Sequence, residues 1–439
     1  MNITIHRGTH QIGGCATEFD VNGEKILVDL GANLPGTDEN AVISDENLCK
    51  KLFSEKSDQI KAVLYTHYHG DHCGLHDKVP DGTEQYIGEL AHDILYTVNT
   101  YINKDNLKQI NKIKKYSARQ PIELNNFTIQ PFYTDHSALD AYMFLIKAEG
   151  KNILFTGDFR EHGIVGENNR FKRVIDKYIP KNIDLLITEG TMISRTQEVR
   201  ENDIHTEAEL GKKASEIFVR NPYNFVLVSS TNLDSIMEFY HNTPEDYKFI
   251  CDYYQAKLIA LAMKGMQKKG NYELYRPSAP IYVIGLNSQR VKILSTLMKG
   301  AKYPVKWLPM EANECRNDRF VMLSRKNSYS ENGLNCFEKV RNELPKDKVH
   351  IIYSMWKGYL SGDKEDKAVK NFIDGYSWEI LHTSGHAYVE TIADLISMVN
   401  PKKIIPMHTE NPEGFCELPA LQDYRDSIVI LEDGEIFEM

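Results

Sequence analysis

A chain of 439 residues, 41% hydrophobic and 26% charged, is long enough for two or three domains and can bury a substantial core. That balance excludes a disordered or fibrous protein, and no run approaches the ~18 apolar residues of a membrane span. A net charge of −10 argues against an extensive basic surface, although polyanion binding needs only local cationic patches. Met1–Gly14 lacks a basic stretch followed by an apolar core, so no signal peptide is expected, and a cytoplasmic setting is the default. The seven cysteines form no CxxC pair and read as reduced, mostly buried thiols, Cys73 among them.

In chain order, Ala16–Val21, Asn22-Gly23 and Lys25–Asp29 predict a hairpin, since Asn-Gly supplies the positive φ angles of a tight turn. Further strands are predicted at Ala62–Thr66, Thr128–Tyr133, Ala141–Lys147, Asn152–Thr156 and Asp184–Thr188, with a second turn at Glu149-Gly150. Helical periodicity marks Leu90–Ile102 and Glu207–Val219. The lysine-rich stretch Lys104–Lys115 fits a solvated helix face as well as an anion site.

From about His205 helices and strands alternate, the grammar of a parallel α/β unit. Strands are expected at Phe225–Val228, Lys248–Cys251, Ile281–Val283 and His350–Tyr353, and helices at Leu233–Tyr240 and Glu365–Ile373. A strand (Trp378–Leu381), a helix (Val389–Val399) and a last strand (Lys403–Pro406) follow. Trp356 and Tyr359 could stack on bases, but packing is the commoner use of such aromatics.

The strongest chemical signal is Thr66-His67-Tyr68-His69-Gly70-Asp71-His72, directly after an apolar strand. Three imidazoles and a carboxylate so close together on a loop are donors for a metal, zinc above all. Other polar groups follow strands in the same way: Asp29 after Ile26–Val28, His136 after Tyr133-Thr134-Asp135, and Asp158 after Phe155-Thr156-Gly157.

These segments resemble the metallo-β-lactamase superfamily. Leu185–Thr191, His382–Ala387 and Pro406–Glu410 are similar to motifs A, B and C of its β-CASP nucleases, the group that includes ribonuclease J and the cleavage and polyadenylation endonuclease. The resemblance implies an α/β fold, a metallo-β-lactamase αββα sandwich with an inserted α/β β-CASP cap. The expected division is residues 1–204 and 377–439 for the sandwich and 205–376 for the cap. Ribonuclease J carries a C-terminal domain that this chain, ending at Met439, is expected to lack; no N-terminal RNA-binding extension is expected either.

By the same resemblance, two Zn2+ ions are implied, with Mn2+ or Fe as substitutes. His67, His69 and His136 would hold one, Asp71, His72 and His408 the other, and Asp158 would bridge them. Asp71 would also accept a proton from the nucleophile. Asp29 and Glu189 would orient ligand imidazoles, with Glu189 counted among the catalytic groups. His386 would stabilise the attacked phosphate or protonate the leaving oxygen. Ser229, Ser230 and Ser354, with His382, Ser384 and Gly385, are candidates for phosphate or RNA binding, though Ser229-Ser230-Thr231 could equally be helix caps.

A histidine in motif C goes with RNA-processing members, so His408 favours RNA, single-stranded by expectation. A membrane role is not expected; a homodimer is compatible. The competing readings are a DNA nuclease or small phosphoester hydrolase of the same fold, and a non-catalytic scaffold subunit. Endonuclease or exonuclease action is not readable from the sequence.

Overall fold

The computed structural model describes residues 1–37, 42–53, 59–196, 203–270, 272–325, 336–362 and 365–439. Its backbone divides into two compact units, Met1–Asn202 with Gly385–Met439, and Asp203–Ser384.

The first unit contains two mixed sheets. Among the described residues, one runs in the order Ile436–Glu438, Asn2–Arg7, Ala16–Val21, Glu24–Val28, Ile60–Leu64, Glu84–Gly88, Lys114–Tyr116. The other runs Ile404–Met407, Leu185–Glu189, Lys151–Phe155, Ala141–Ala148, Phe127–Thr134, Ile122–Leu124. Alternation along the strands decides what each face meets. Ile26 and Val28, with Ile3, Ile5, Phe19 and Leu64 of the first sheet, pack against Ile129, Phe144, Ile146, Phe155 and Ile187 of the second. From the intervening positions, Met143, Leu145, Leu154 and Leu186 turn to the opposite face. There they meet Phe171 and Ile175 of helix Arg170–Tyr178 and Ile392, Leu395 and Ile396 of helix Val389–Val399. Sheet on sheet, flanked by helices, is the αββα sandwich.

The first strand, Asn2–Arg7, had no counterpart in the sequence reading. Lys104–Lys115 is a correction, because it is not one helix. It breaks into a turn at Lys104–Asn106, a short helix Leu107–Ile110 and the edge strand Lys114–Tyr116. Three of its five lysines pair with acids: Lys112 with Asp81 (2.7 Å), Lys115 with Asp93 (2.6 Å), and Lys114 with Glu84.

The second unit is an α/β layer whose strand pairings are all parallel among the described residues. Its strand order is Trp307–Met310, Ile281–Ile284, Lys248–Asp252, Phe320–Ser324, Tyr223–Val228, Val349–Ser354, Ser377–Ile380. The expected boundary after residue 376 moves to Ser384. Strand Ser377–Ile380 pairs with Val349–Ser354, and the Thr383 hydroxyl donates to buried Glu207 (2.7 Å), so this segment belongs to the inserted unit. Trp356 packs edge-on against Tyr359, with centroids 5.4 Å apart. Among the described residues no helix is long and apolar enough to cross a membrane.

Candidate metal centre

Six strands of the first unit run out in chemistry-bearing residues. Glu24–Val28 leads to Asp29, Ile60–Leu64 to His67, Phe127–Thr134 to His136, Lys151–Phe155 to Asp158, and Ile404–Met407 to His408; Leu185–Glu189 ends on its own carboxylate. The loop after Ile60–Leu64 folds into the short helix Gly70–Cys73, which turns Asp71 and His72 back beside His67 and His69. Backbone bonds pin this turn: Cys15 N–H donates to Asp71 O (2.9 Å), Leu30 N–H to His72 O (2.8 Å), and Ala32 N–H to Gly70 O (2.9 Å). Gly31 is required here, since a Cβ would overlap the Asp71 carbonyl. Gly157 is required for another reason: its φ is +55° and a Cβ would press on Thr66.

His67, His69 and His136 offer ring nitrogens that all lie within 4.8 Å of one another. His136 Nε2 is 3.2 Å from His69 Nδ1, while its Nδ1 is turned by the Gly385 carbonyl (2.5 Å). Beside this trio stands a second group. His72 directs Nδ1 at Asp29 (2.8 Å), leaving Nε2 3.1 Å from Asp158 Oδ2 but outside hydrogen-bonding geometry. His408 Nε2 is 3.3 Å from Asp71 Oδ2, and its Nδ1 is 3.6 Å from Asp158 Oδ1. Asp158 therefore stands between the two groups, also 3.9 Å from both His67 and His136. His386 completes the arrangement, with Nδ1 3.1 Å from Glu189 and 3.6 Å from Asp158.

Burial sets the charge states. It pushes His67 and His136 well below the ordinary imidazole range, reinforced by neighbouring imidazoles, and takes His69 down to about 4. These rings are neutral and offer lone pairs, the form a cation binds. Burial also opposes a charge on Asp158, yet His408 and His72 hold its carboxyl well below the usual range. His386 is pulled down by burial and lifted above its ordinary value by Glu189 and Asp158.

The residues fit a divalent cation. His67 Nε2, His72 Nε2 and Asp158 Oδ1 are buried with no hydrogen-bond partner among the described residues. Each such orphan costs about 1–3 kcal/mol, and one kind of guest, a cation with nitrogen and oxygen ligands, satisfies them together.

The structure thus gathers His67, His69, Asp71, His72, His136, Asp158 and His408, with Asp29, Glu189 and His386 against them. Gly385, a candidate phosphate residue, contributes its carbonyl to His136. The other candidates lie in the second unit. Ser229 and Ser230 follow strand Tyr223–Val228, Ser354 ends the neighbouring strand opposite Val228, and His382 and Ser384 follow strand Ser377–Ile380. The Ser230 and Ser354 hydroxyls are buried without a hydrogen-bond partner among the described residues. Helix Leu233–His241 has no side-chain cap, so the Ser230 hydroxyl is not explained as one.

Two neighbours of these imidazoles escaped the sequence reading. The Thr191 hydroxyl lies 2.8 Å from His408 Nδ1 and 3.2 Å from His386 Nδ1. Cys15 lies beside His72 and His408.

Known proteins resemble this chain along most of its length. Residues 35–220 match the family described as Beta-lactamase superfamily domain, and residues 379–413 match the Zn-dependent metallo-hydrolase RNA specificity domain. Ribonuclease J of Synechocystis sp. is 22% identical over 98% of this chain and 64% of its own length. The endoribonuclease ysh1 of Schizosaccharomyces pombe is 29% identical over 58% of this chain and 34% of its own. A crystal structure of a protein of unknown function from Enterococcus faecalis V583 superimposes with a TM-score of 0.71 at 18% identity, covering 99% of both chains. The chain carries a Beta-lactamase superfamily domain and an RNA specificity domain, and with its relatives it resembles the β-CASP group of the metallo-β-lactamase superfamily. The matched metallo-hydrolase domains imply a divalent metal, and the His/Asp cluster offers donors for one.

Proposed function

We propose that this protein is a zinc-dependent hydrolase that cleaves phosphodiester bonds in RNA. The observation that carries the reading is the convergence of the three neutral imidazoles of His67, His69 and His136 beside Asp158, whose buried Oδ1 has no hydrogen-bond partner among the described residues. His67, His69 and His136 would hold one zinc ion, Asp71, His72 and His408 a second, and Asp158 would bridge. Such a pair supplies Lewis acidity toward a phosphoryl oxygen and an acidified water.

The protein's own groups do the rest. Asp29 and Thr191 fix the rings of His72 and His408, so that each turns its other nitrogen to the centre. Asp71 takes the proton of the attacking water. Glu189 engages His386 Nδ1, and the Nε2 proton of that imidazole passes to the leaving oxygen. Support for RNA over DNA comes from His408 in motif C, from the matched RNA specificity domain, and from relatives named as ribonucleases. Ser229, Ser230, Ser354, His382 and Ser384 are proposed to hold substrate phosphates.

The test sets wild type beside His69→Ala on single-stranded RNA, single-stranded DNA and a small diester, with 5′-monophosphorylated and circular RNA as further arms. Cleavage of RNA alone, lost in the variant, is expected. Equal activity of the variant would refute the site, and preference for DNA or the small diester would refute the substrate. Cut circles would establish internal cleavage.

A further inference from the structure

We propose that Cys15 donates a thiolate to the metal position that His72 and His408 share. The inference rests on the metal-centre reading above and adds a donor to it. Cys15 Sγ and one ring nitrogen each of His72 and His408 lie within 4.8 Å of one another, and all three side chains are buried at 0–1% exposure. Donors bound to one tetrahedral ion at Zn–N of about 2.0–2.1 Å and Zn–S of about 2.3 Å stand roughly 3.5 Å apart, so the three atoms would draw together by up to about 1 Å on binding. His72 Nε2, buried and outside hydrogen-bonding geometry although 3.1 Å from Asp158 Oδ2, is the nitrogen of that ring open to a guest.

The backbone ties the sulfur to this place. Cys15 N–H donates to Asp71 O (2.9 Å), and Gly31 N–H donates to Cys15 O (2.8 Å). On the other side, His408 N–H donates to Gly8 O (2.6 Å), and a Cβ on Gly8 would stand 3.5 Å from Cys15 Sγ. Cys15 is thus bonded to the segment that brings His72, and Gly8, beside its sulfur, is bonded to the segment that brings His408. Cys73, also buried and next to His72 in sequence, is not in this group of donors. On binding, a metal–sulfur bond forms, the S–H bond breaks, and the proton leaves to solvent, as a coordinated thiol does.

Cobalt replaces zinc in the test, because a cobalt–thiolate bond gives a near-ultraviolet charge-transfer band that nitrogen and oxygen ligands do not. Cobalt content is measured by elemental analysis in wild type and Cys15→Ser. The expected result is bound cobalt with the band in wild type, and loss of the band in the variant. Zinc-edge X-ray absorption of the wild type needs no variant and should register one sulfur neighbour. Bound metal with no band and no sulfur neighbour would overturn the Cys15 assignment and leave the metal reading standing. A band that survives Cys15→Ser would also overturn it. A wild type that binds no metal would take down the metal reading and this inference with it.

Discussion

At Asp29 one side chain decides the state of another. The residue sits at φ 62°, where strand Glu24–Val28 ends, a conformation that aspartate tolerates better than most. Its Oδ1 accepts the Thr66 N–H (2.7 Å), and its Oδ2 accepts the Thr66 hydroxyl (2.9 Å) and faces His72 Nδ1 (2.8 Å). A carboxylate there holds the proton on Nδ1, so that Nε2 is the nitrogen that binds a cation once its own proton is displaced. Asp29→Asn puts an amide N–H where an acceptor is needed and favours the wrong tautomer. Metal affinity measured by chelator competition should fall about 10–100-fold with the fold retained; unchanged affinity would show that Asp29 does not orient the ring. At this scale the sequence was legible where donors of one chemistry follow strand after strand, as with His67, His136, Asp158 and His408. It was silent on Thr191 and Cys15, because a hydroxyl or a single thiol carries no spacing of its own. Only the fold brings them to imidazoles more than fifty residues away in sequence.

Between elements, the loops bearing His136 and Asp158 are locked by a buried ion pair. Asp135 accepts from Arg160 Nε (3.3 Å) and from the N–H groups of Gly163 (2.7 Å) and Gly166 (3.0 Å), while Arg160 N–H donates to Asp135 O (2.7 Å). Burial raises the Asp135 carboxyl, and Arg160 works against that rise. Arg160→Met would strand a desolvated carboxylate and should cost about 3–5 kcal/mol in urea unfolding. Adding Asp135→Asn should recover part of the loss, since the penalty lies in the unpaired charge more than in the missing pair. A double variant as unstable as the single would assign the effect to lost packing. Apolar runs made the strands around these loops readable, and alternating helix and strand did the same for the second unit. The lysine-rich stretch after Ile102 was misread because Asp81, Glu84 and Asp93, which partner its lysines, come from earlier segments.

Across the whole molecule, the proposed ligands span His67 to His408, and the inserted unit, residues 203–384, separates His408 from the rest along the chain. Each unit has a hydrophobic core of its own, so the metal is not needed to give either one an interior. Its contribution would be to join two distant stretches of the first unit and to satisfy buried atoms that have no hydrogen-bond partner among the described residues. A ligand that binds only the folded state at a hundred times its Kd adds about 2.7 kcal/mol of stability. Chelation should therefore lower the unfolding midpoint of the first unit, and restored zinc should return it. The three tryptophans, Trp307, Trp356 and Trp378, all lie in the second unit, so their emission follows that unit alone. Far-ultraviolet dichroism follows both. The expected result is a chelator-induced shift in the dichroism transition that exceeds the shift in tryptophan emission. If the dichroism midpoint does not move on chelation, the orphaned nitrogens and the Asp158 oxygen are satisfied by something other than a metal, and the centre must be rebuilt from a different guest.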